Sequence, residues 1–244
     1  MLGKAKAKYI QSLGQKKQRD DEGLFVAEGP KIVAELLESA TKKIVDVYAT
    51  GEWLSQYDQP AKKESFVEVT EIELAKISQL KTPNQVLAVL KKFEPGSAPE
   101  LKGKLSLVLD TIQDPGNLGT IIRIADWFGI TQIICSDNCA DIYNPKVVQA
   151  TMGSIARVNV WYEKLETWLP AQTGTRIYAT SLEGKDVYKM TGAKEGLLMI
   201  GNESNGIRPG LLALANERIT IPRKGKAESL NAAVATGIIL SHIT

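Results

Sequence analysis

The chain has 244 residues, of which 43% are hydrophobic and 24% charged, with a formal net charge of +2. That length supports one large or two modest cores, and no run reaches the roughly 18 apolar residues that a membrane helix needs. The lysine-rich start "MLGKAKAKYIQSLGQKKQRD" lacks the apolar centre and cleavage site of a signal peptide, so the expected location is the cytoplasm, with no membrane partner. Cys135, Cys139 and the single histidine, His242, give neither a disulfide framework nor enough soft ligands for a transition metal. No metal is expected, and Cys135, closing the apolar run "ITQIIC", reads as a small buried residue.

The positive charge is unevenly spread. Lys4, Lys6, Lys8, Lys16, Lys17 and Arg19 fall within residues 1–19 without an acid among them, as either a mobile phosphate-binding arm or a solvated terminus. Strands are expected at "LFVAEG", "KIVDVYA", "SFVEV" and "VLAVLKK", with helices at "PKIVAELLES" and "EIELAKISQ", where apolar residues recur at three and four. Pro30 suits a first helical turn, where a missing amide hydrogen costs nothing. This first part is an α/β domain over residues 1–93, and the proline- and glycine-rich stretch 94–104 is the expected linker.

Beyond the linker, "LSLVLD", "TQIIC", "RIYAT", "GLLMIG" and "RITIP" are too uniformly apolar to have a wet face. They are expected to form a mostly parallel sheet covered by helices on both sides, within a second domain spanning 105–244. The last element, "SLNAAVATGIILSHI", reads as an apolar helix.

In an open parallel sheet the ligand crevice lies beyond the carboxyl ends of strands. Three loops occupy such places: "LDTIQDPGNLGTIIRIADWFGI", "IGNESNGIRPG" and "ITIPRKGKAESLNAA". They contain no GxxxxGK[ST], no intact GxGxxG and no GxSxG elbow, which removes support for NTPase, dehydrogenase and hydrolase chemistry. Singly, each loop has a local account: Asn117 as a helix cap after "DPGN", or Ser229 as the cap of the last helix.

Taken in order, "DPGNLGTIIRIADWFGI", "GNESNGI" and "IPRKGKAESLNAAVATGI" resemble the three motifs of the SpoU/TrmH family of RNA ribose methyltransferases. A further block, "NPKVVQATMGSIARV", also resembles the family, and the first domain is similar to the small RNA-binding α/β domain that precedes the catalytic domain in many members. The resemblance implies S-adenosyl-L-methionine as methyl donor, a ribose 2′-hydroxyl as acceptor, a trefoil-knotted catalytic domain and a homodimer formed through it. Ribosomal RNA is the expected substrate, with transfer RNA as the alternative.

On the matching positions, the resemblance places Arg123 at the reacting hydroxyl. Because guanidinium stays protonated, it is expected to stabilise a developing alkoxide rather than take up a proton. Asn117, Ser229 and Asn231 become orienting residues, and Glu203 a supporting carboxylate bonded to backbone or asparagine side chains. Donor contacts are expected at Gly201, Ile221 and Leu230, with Thr180 and Ser181 closing the pocket; Gly201 would let the ligand approach closely. Lys16, Lys17, Arg19, Arg223, Lys224 and Lys226 are candidates for holding the RNA backbone. Gln149 departs from the family, whose members often have a basic residue there. The rival readings are a non-catalytic RNA-binding or ribosome-assembly protein that keeps the fold, and an unrelated Rossmann-type enzyme, for which no nucleotide motif is found.

Overall fold

The computed structural model describes residues 2–57, 65–190 and 192–244. It consists of two compact units, Met1–Glu94 with Tyr143–Ala156, and Pro95–Ile142 with Arg157–Thr244.

The first unit contains α1 (Lys4–Ser12), α2 (Lys16–Glu22), β1 (Leu24–Glu28), α3 (Pro30–Ser39), β2 (Ile44–Ala49), α4 (Gly51–Gln56), β3 (Phe66–Glu68), α5 (Glu71–Ile77) and β4 (Val86–Lys91). Its sheet has the order β1-β4-β2-β3, antiparallel except for the β2–β3 pair. Pro30 opens α3, and Ile32, Val33, Leu36 and Leu37 form its buried face. At α5, Thr70 accepts from the Glu73 amide while the Glu73 side chain returns to Thr70, a complete capping box.

The basic start is not a free arm. It folds as α1 and α2, because Ile10 and Leu13 are fully buried in the first core, worth about 1.5–3 kcal/mol each. Arg19 must be removed from the RNA-contact candidates. It is only 2% exposed, and its guanidinium donates to the carbonyls of Leu13 (3.0 Å) and Gly14 (2.8 Å), closing the α1–α2 turn. Alanines and lysines at the other positions of α1 gave the apolar period too little contrast to reveal the helix.

The second unit runs through β5 (Leu105–Leu109), α6 (Pro115–Trp127) and β6 (Gln132–Ser136). The chain then makes α7 (Pro145–Thr151), which belongs to the first unit, before returning as β7 (Asn159–Glu163), α8 (Leu165–Ala171), β8 (Ile177–Asp186), β9 (Gly196–Ile200), α9 (Pro209–Leu212), β10 (Glu217–Thr220) and α10 (Ala232–Ile243). The excursion differs from the expected contiguous domain over 105–244. Its cause is local: the Tyr143 ring packs 4.9 Å from that of Phe25, and its hydroxyl accepts from the Phe93 amide (2.7 Å) and donates to the Phe93 carbonyl (2.8 Å).

All pairs in the second sheet are parallel, in the order β10-β8-β9-β5-β6-β7. Every residue of β5, β6 and β9 is buried, as continuous apolar runs require when helices cover both faces. β7 escapes the apolar-run signal because it is an edge strand in which only Val160 and Trp161 are buried. The chain winds outward from β5 through β6 to β7, then crosses to the other side through β8. The switch point therefore lies between β5 and β9, where the loops after both strands open together. Among the described residues, no helix is long and apolar enough to cross a membrane.

Candidate active site

Two part-buried ties fix the loops at the switch point. Asp110, directly after β5, is fully buried, and a buried carboxylate demands a charged partner. It accepts from the backbone amide and Nε of Arg208, both at 2.8 Å. Arg208 also pairs with Glu166. The loop after β9 is closed by two backbone bonds between Asn202 and Gly206 (3.1 and 2.8 Å). Asn202 Oδ1 accepts from the amides of Ser204 (2.9 Å) and Asn205 (3.3 Å), an Asx-type turn. Its Nδ2 donates to the Thr111 carbonyl across the switch point (3.0 Å).

This geometry changes the reason for glycine at 201. A Cβ built there would lie 2.6 Å from the Gly206 carbonyl oxygen and closer still to the Gly206 carbonyl carbon and Ile207 nitrogen. The close approach that demands glycine is made by the loop's own backbone rather than by a ligand.

The helix after β5 is capped by Asp114, whose carboxylate accepts from the Asn117 amide at 2.8 Å. Asn117 is therefore not the cap, and its side chain is free to work elsewhere. Nδ2 donates to Glu203 Oε1, while Oδ1 accepts from Asn231 Nδ2 at 2.8 Å. The order of donors fixes the amide's orientation, since a carboxylate only accepts and Nδ2 of Asn231 only donates. Asn231 Oδ1 in turn accepts from the amides of Ala233 (3.0 Å) and Val234 (3.2 Å), which makes Asn231 the cap of α10. Ser229 does not fill that role; it is exposed and forms no hydrogen bond among the described residues.

Asn117, Glu203 and Asn231 thus join all three loops. Arg123 is not drawn into that hub. Six residues along α6, it lies about 9 Å further down and about a third of a turn around from Asn117, exposed and with no side-chain hydrogen bond or ion pair among the described residues. It shares a face with Trp127, four residues on, which is 84% exposed.

The candidate donor residues border the same strand ends. Between β8 and β10 the register passes from Ala179↔Arg218 to Lys185↔Ile219, so residues 180–184 bulge outward. Thr180 and Ser181 enter that bulge half-buried, and the Thr220 hydroxyl anchors it by donating to the Leu182 carbonyl (3.2 Å). Ile221 is half-buried, whereas Leu230 is 46% exposed. Among the described residues, no amide from 223 to 230 donates to a backbone carbonyl. Lys17, Arg223, Lys224 and Lys226 are exposed, and Lys16 is exposed but paired with Asp20 at 2.8 Å.

Sequence reasoning passed over Asp110, Thr111, Asn202 and Arg208. One signal was present: "LSLVLD" ends a wholly apolar run on a carboxylate, which calls for a cation from elsewhere. Behind the first loop, the Cys139 sulfur accepts from the Ile112 amide and donates to the Leu109 carbonyl, each at 3.3 Å. A hydrogen bond from Cys135 brings the Cys139 thiol down to about 7, and the same bond together with burial pushes Cys135 up.

Residues 104–241 match the SpoU rRNA Methylase family, and residues 4–88 match an MRM3-like substrate binding domain. The chain is 30% identical to the 23S rRNA (guanosine(2553)-2′-O)-methyltransferase RlmP of Bacillus subtilis, across 98% of this chain and 95% of the relative. Among solved structures it resembles a TrmH-family protein from Porphyromonas gingivalis, with TM-score 0.85 and 36% identity over 99% of this chain and 98% of that one. It also resembles an AdoMet-bound rRNA methyltransferase from Sinorhizobium meliloti, with TM-score 0.83 and 32% identity over 100% and 95%. The fold and its three-loop hub define an α/β methyltransferase. The chain belongs to the SpoU rRNA Methylase family.

Proposed function

We propose that the protein transfers a methyl group from S-adenosyl-L-methionine to a ribose 2′-hydroxyl of ribosomal RNA. The observation that carries this reading is the hydrogen-bonded line Glu203–Asn117–Asn231, which gathers three strand-end loops at the sheet's switch point. The relative RlmP is named for 2′-O-methylation of 23S rRNA, and the Sinorhizobium meliloti enzyme was crystallised with AdoMet.

The residues present suit that donor. Exposed Leu230 and half-buried Ile221 offer apolar flanks for an adenine, while the amides of residues 223–230 make no bonds to backbone carbonyls among the described residues that a ligand would have to displace. Thr180 and Ser181 would border the same pocket from the β8 bulge. When bound, the donor supplies an electrophilic methyl carbon on a positively charged sulfur, so no metal is required. What remains for the chain is orientation and charge stabilisation. Arg123, permanently protonated, would stabilise the alkoxide forming on the ribose and hold the adjacent phosphate. Asn117, Glu203 and Asn231 act behind it by fixing the loops, and Ser229 is left as an exposed hydroxyl beside them.

Two further features belong to this reading. The chain leaves β10 at the far edge of the sheet, yet α10 returns to pack on α6 and Asn231 reaches Asn117. That return past the ends of β8 and β9 is the route a trefoil knot would take, against the usual rule for chain connections. Exposed Trp127 on α6 and Val234 on α10, 84% and 51% accessible, would be covered in a homodimer whose interface borders Arg123 and leaves its guanidinium open to RNA. The substrate-binding role falls to the first unit with Lys16 and Lys17, and to Arg223, Lys224 and Lys226 in the second.

The test is incubation of the purified protein with radiolabelled donor and either ribosomal or transfer RNA, with mapping of the modified ribose. Label in ribosomal RNA at a 2′-oxygen is expected. Label confined to transfer RNA would overturn the substrate, and donor binding without transfer would favour a non-catalytic RNA-binding protein. Light scattering at micromolar concentration should report a dimer, and a monomer there would remove the homodimer.

A further inference from the structure

Three non-glycine residues among those described have positive φ, and Thr111, at +60°, is the β-branched one. A β-branched side chain in the left-handed region is costly and persists only where its surroundings over-determine it. Thr111 meets that condition on every polar atom. Its amide donates to the buried Ser136 hydroxyl at 2.9 Å, its hydroxyl donates to Asp110 Oδ1 at 3.0 Å, and its carbonyl accepts from Asn202 Nδ2 at 3.0 Å.

The residues on either side are held as firmly. Cys139 spans the turn by donating to the Leu109 carbonyl and accepting from the Ile112 amide, and the Ile112 carbonyl accepts from the Ala140 amide at 2.9 Å. Asp110 is itself clamped by Arg208. The turn between β5 and α6 therefore rests on the segment after β6 from one side and on the loop after β9 from the other. It leads directly into α6, with Asn117 in the helix's first turn and Arg123 beyond.

We infer that Thr111 is a positioning residue: its locked left-handed backbone sets the entry angle of α6, and so the placement of Asn117 and Arg123 relative to the loops after β9 and β10. The inference rests on the proposed methyltransferase function. It assigns the work to the Thr111 hydroxyl and Ser136, neither of which would touch donor or RNA.

The experiment compares Thr111→Val, an isostere without the hydroxyl, with Thr111→Ser, which keeps it, in the full-length protein. Donor affinity is read by calorimetry, and kcat and KM for RNA from transfer of labelled methyl. Thr111→Val should lose about 10²-fold in kcat, the scale of a misplacement of about 1 Å, while donor Kd and RNA KM stay within about threefold. Thr111→Ser should restore most of the rate. Should Thr111→Val fail to fold, Ser136→Ala removes a second brace on the same turn, the acceptor of the Thr111 amide, and is expected to show the same split. Folded variants with wild-type kcat would overturn the inference, as would a parallel loss of donor binding and rate. A wild-type protein that neither binds donor nor transfers methyl would defeat the functional reading instead.

Discussion

The Asn117 side-chain amide donates to the Glu203 carboxylate across the gap between the ends of β5 and β9. Eighty-six residues separate them in sequence, and the same amide's oxygen takes a hydrogen bond from Asn231. A side-chain amide supplies from two separate atoms the donor that Glu203 needs and the acceptor that Asn231 needs.

Asn117→Asp should therefore do more harm than Asn117→Ala. It sets two carboxylates against each other, and one of them must have its pKa raised. A raised carboxyl pKa destabilises the fold above that value and ceases to matter below the unfolded one. The variant's stability deficit, about 1–3 kcal/mol at pH 8, should shrink as pH falls through about 6 to 4. Denaturation of both variants from pH 8 to 4 checks this; a deficit independent of pH would contradict it.

Gly201→Ala should be destabilising by about 1–3 kcal/mol through overpacking, because its Cβ would press on the Gly206–Ile207 backbone. The loop closed by Asn202 and Gly206 would have to open, so donor binding should weaken with stability. Calorimetry and thermal melts on one preparation test it, and an unchanged melting midpoint would show that the backbone crossing tolerates a methyl group.

How much of this was legible in the sequence divides along physical lines. The buried strands of the second sheet were, because "LSLVLD" and "GLLMIG" leave no polar face, and α3 was, because Pro30 and its apolar spacing agree. The motif loops could be located, but not their wiring. Whether Asn117 or Asp114 caps α6, and whether Ser229 or Asn231 caps α10, depends on which side chain is claimed by a partner far away in sequence. Arg19 shows the same limit: nothing in "KKQRDDE" distinguishes a cation facing phosphates from one folded back onto the carbonyls of Leu13 and Gly14. The left-handed Thr111 is the extreme case, since its own residue type argues against the conformation that its neighbours impose.

Asp20 gives an acid-range prediction. Hydrogen bonds from Lys16 and then Lys92 hold its carboxyl at about 2 instead of 3.8, at 2.8 and 2.5 Å. A depressed carboxyl contributes stability that is fully present above the unfolded value of 3.8 and is lost as pH falls toward about 2. Wild type should melt above Asp20→Asn from pH 7 down to about 4, with the gap closing by about 2. A gap of the same size at both ends would mean that the carboxylate's charge is not what ties α2 to β4.

Arg123 tests the chemistry most directly. It is exposed, free of ion pairs among the described residues, and about a third of a turn around α6 from the Asn117 hub, so truncating it leaves the hub's hydrogen bonds untouched. Arg123→Ala should bind S-adenosyl-L-methionine with unchanged affinity and keep its thermal midpoint, while methyl transfer falls by about 10²–10³-fold, the usual cost of removing a group that stabilises an oxyanion. Arg123→Lys should recover only part of the rate, because a point charge cannot serve an alkoxide and a phosphate with a planar fork. Near-normal turnover in Arg123→Ala would remove the residue from the mechanism. Loss of donor binding there would move it from the acceptor side of the reaction to the donor side.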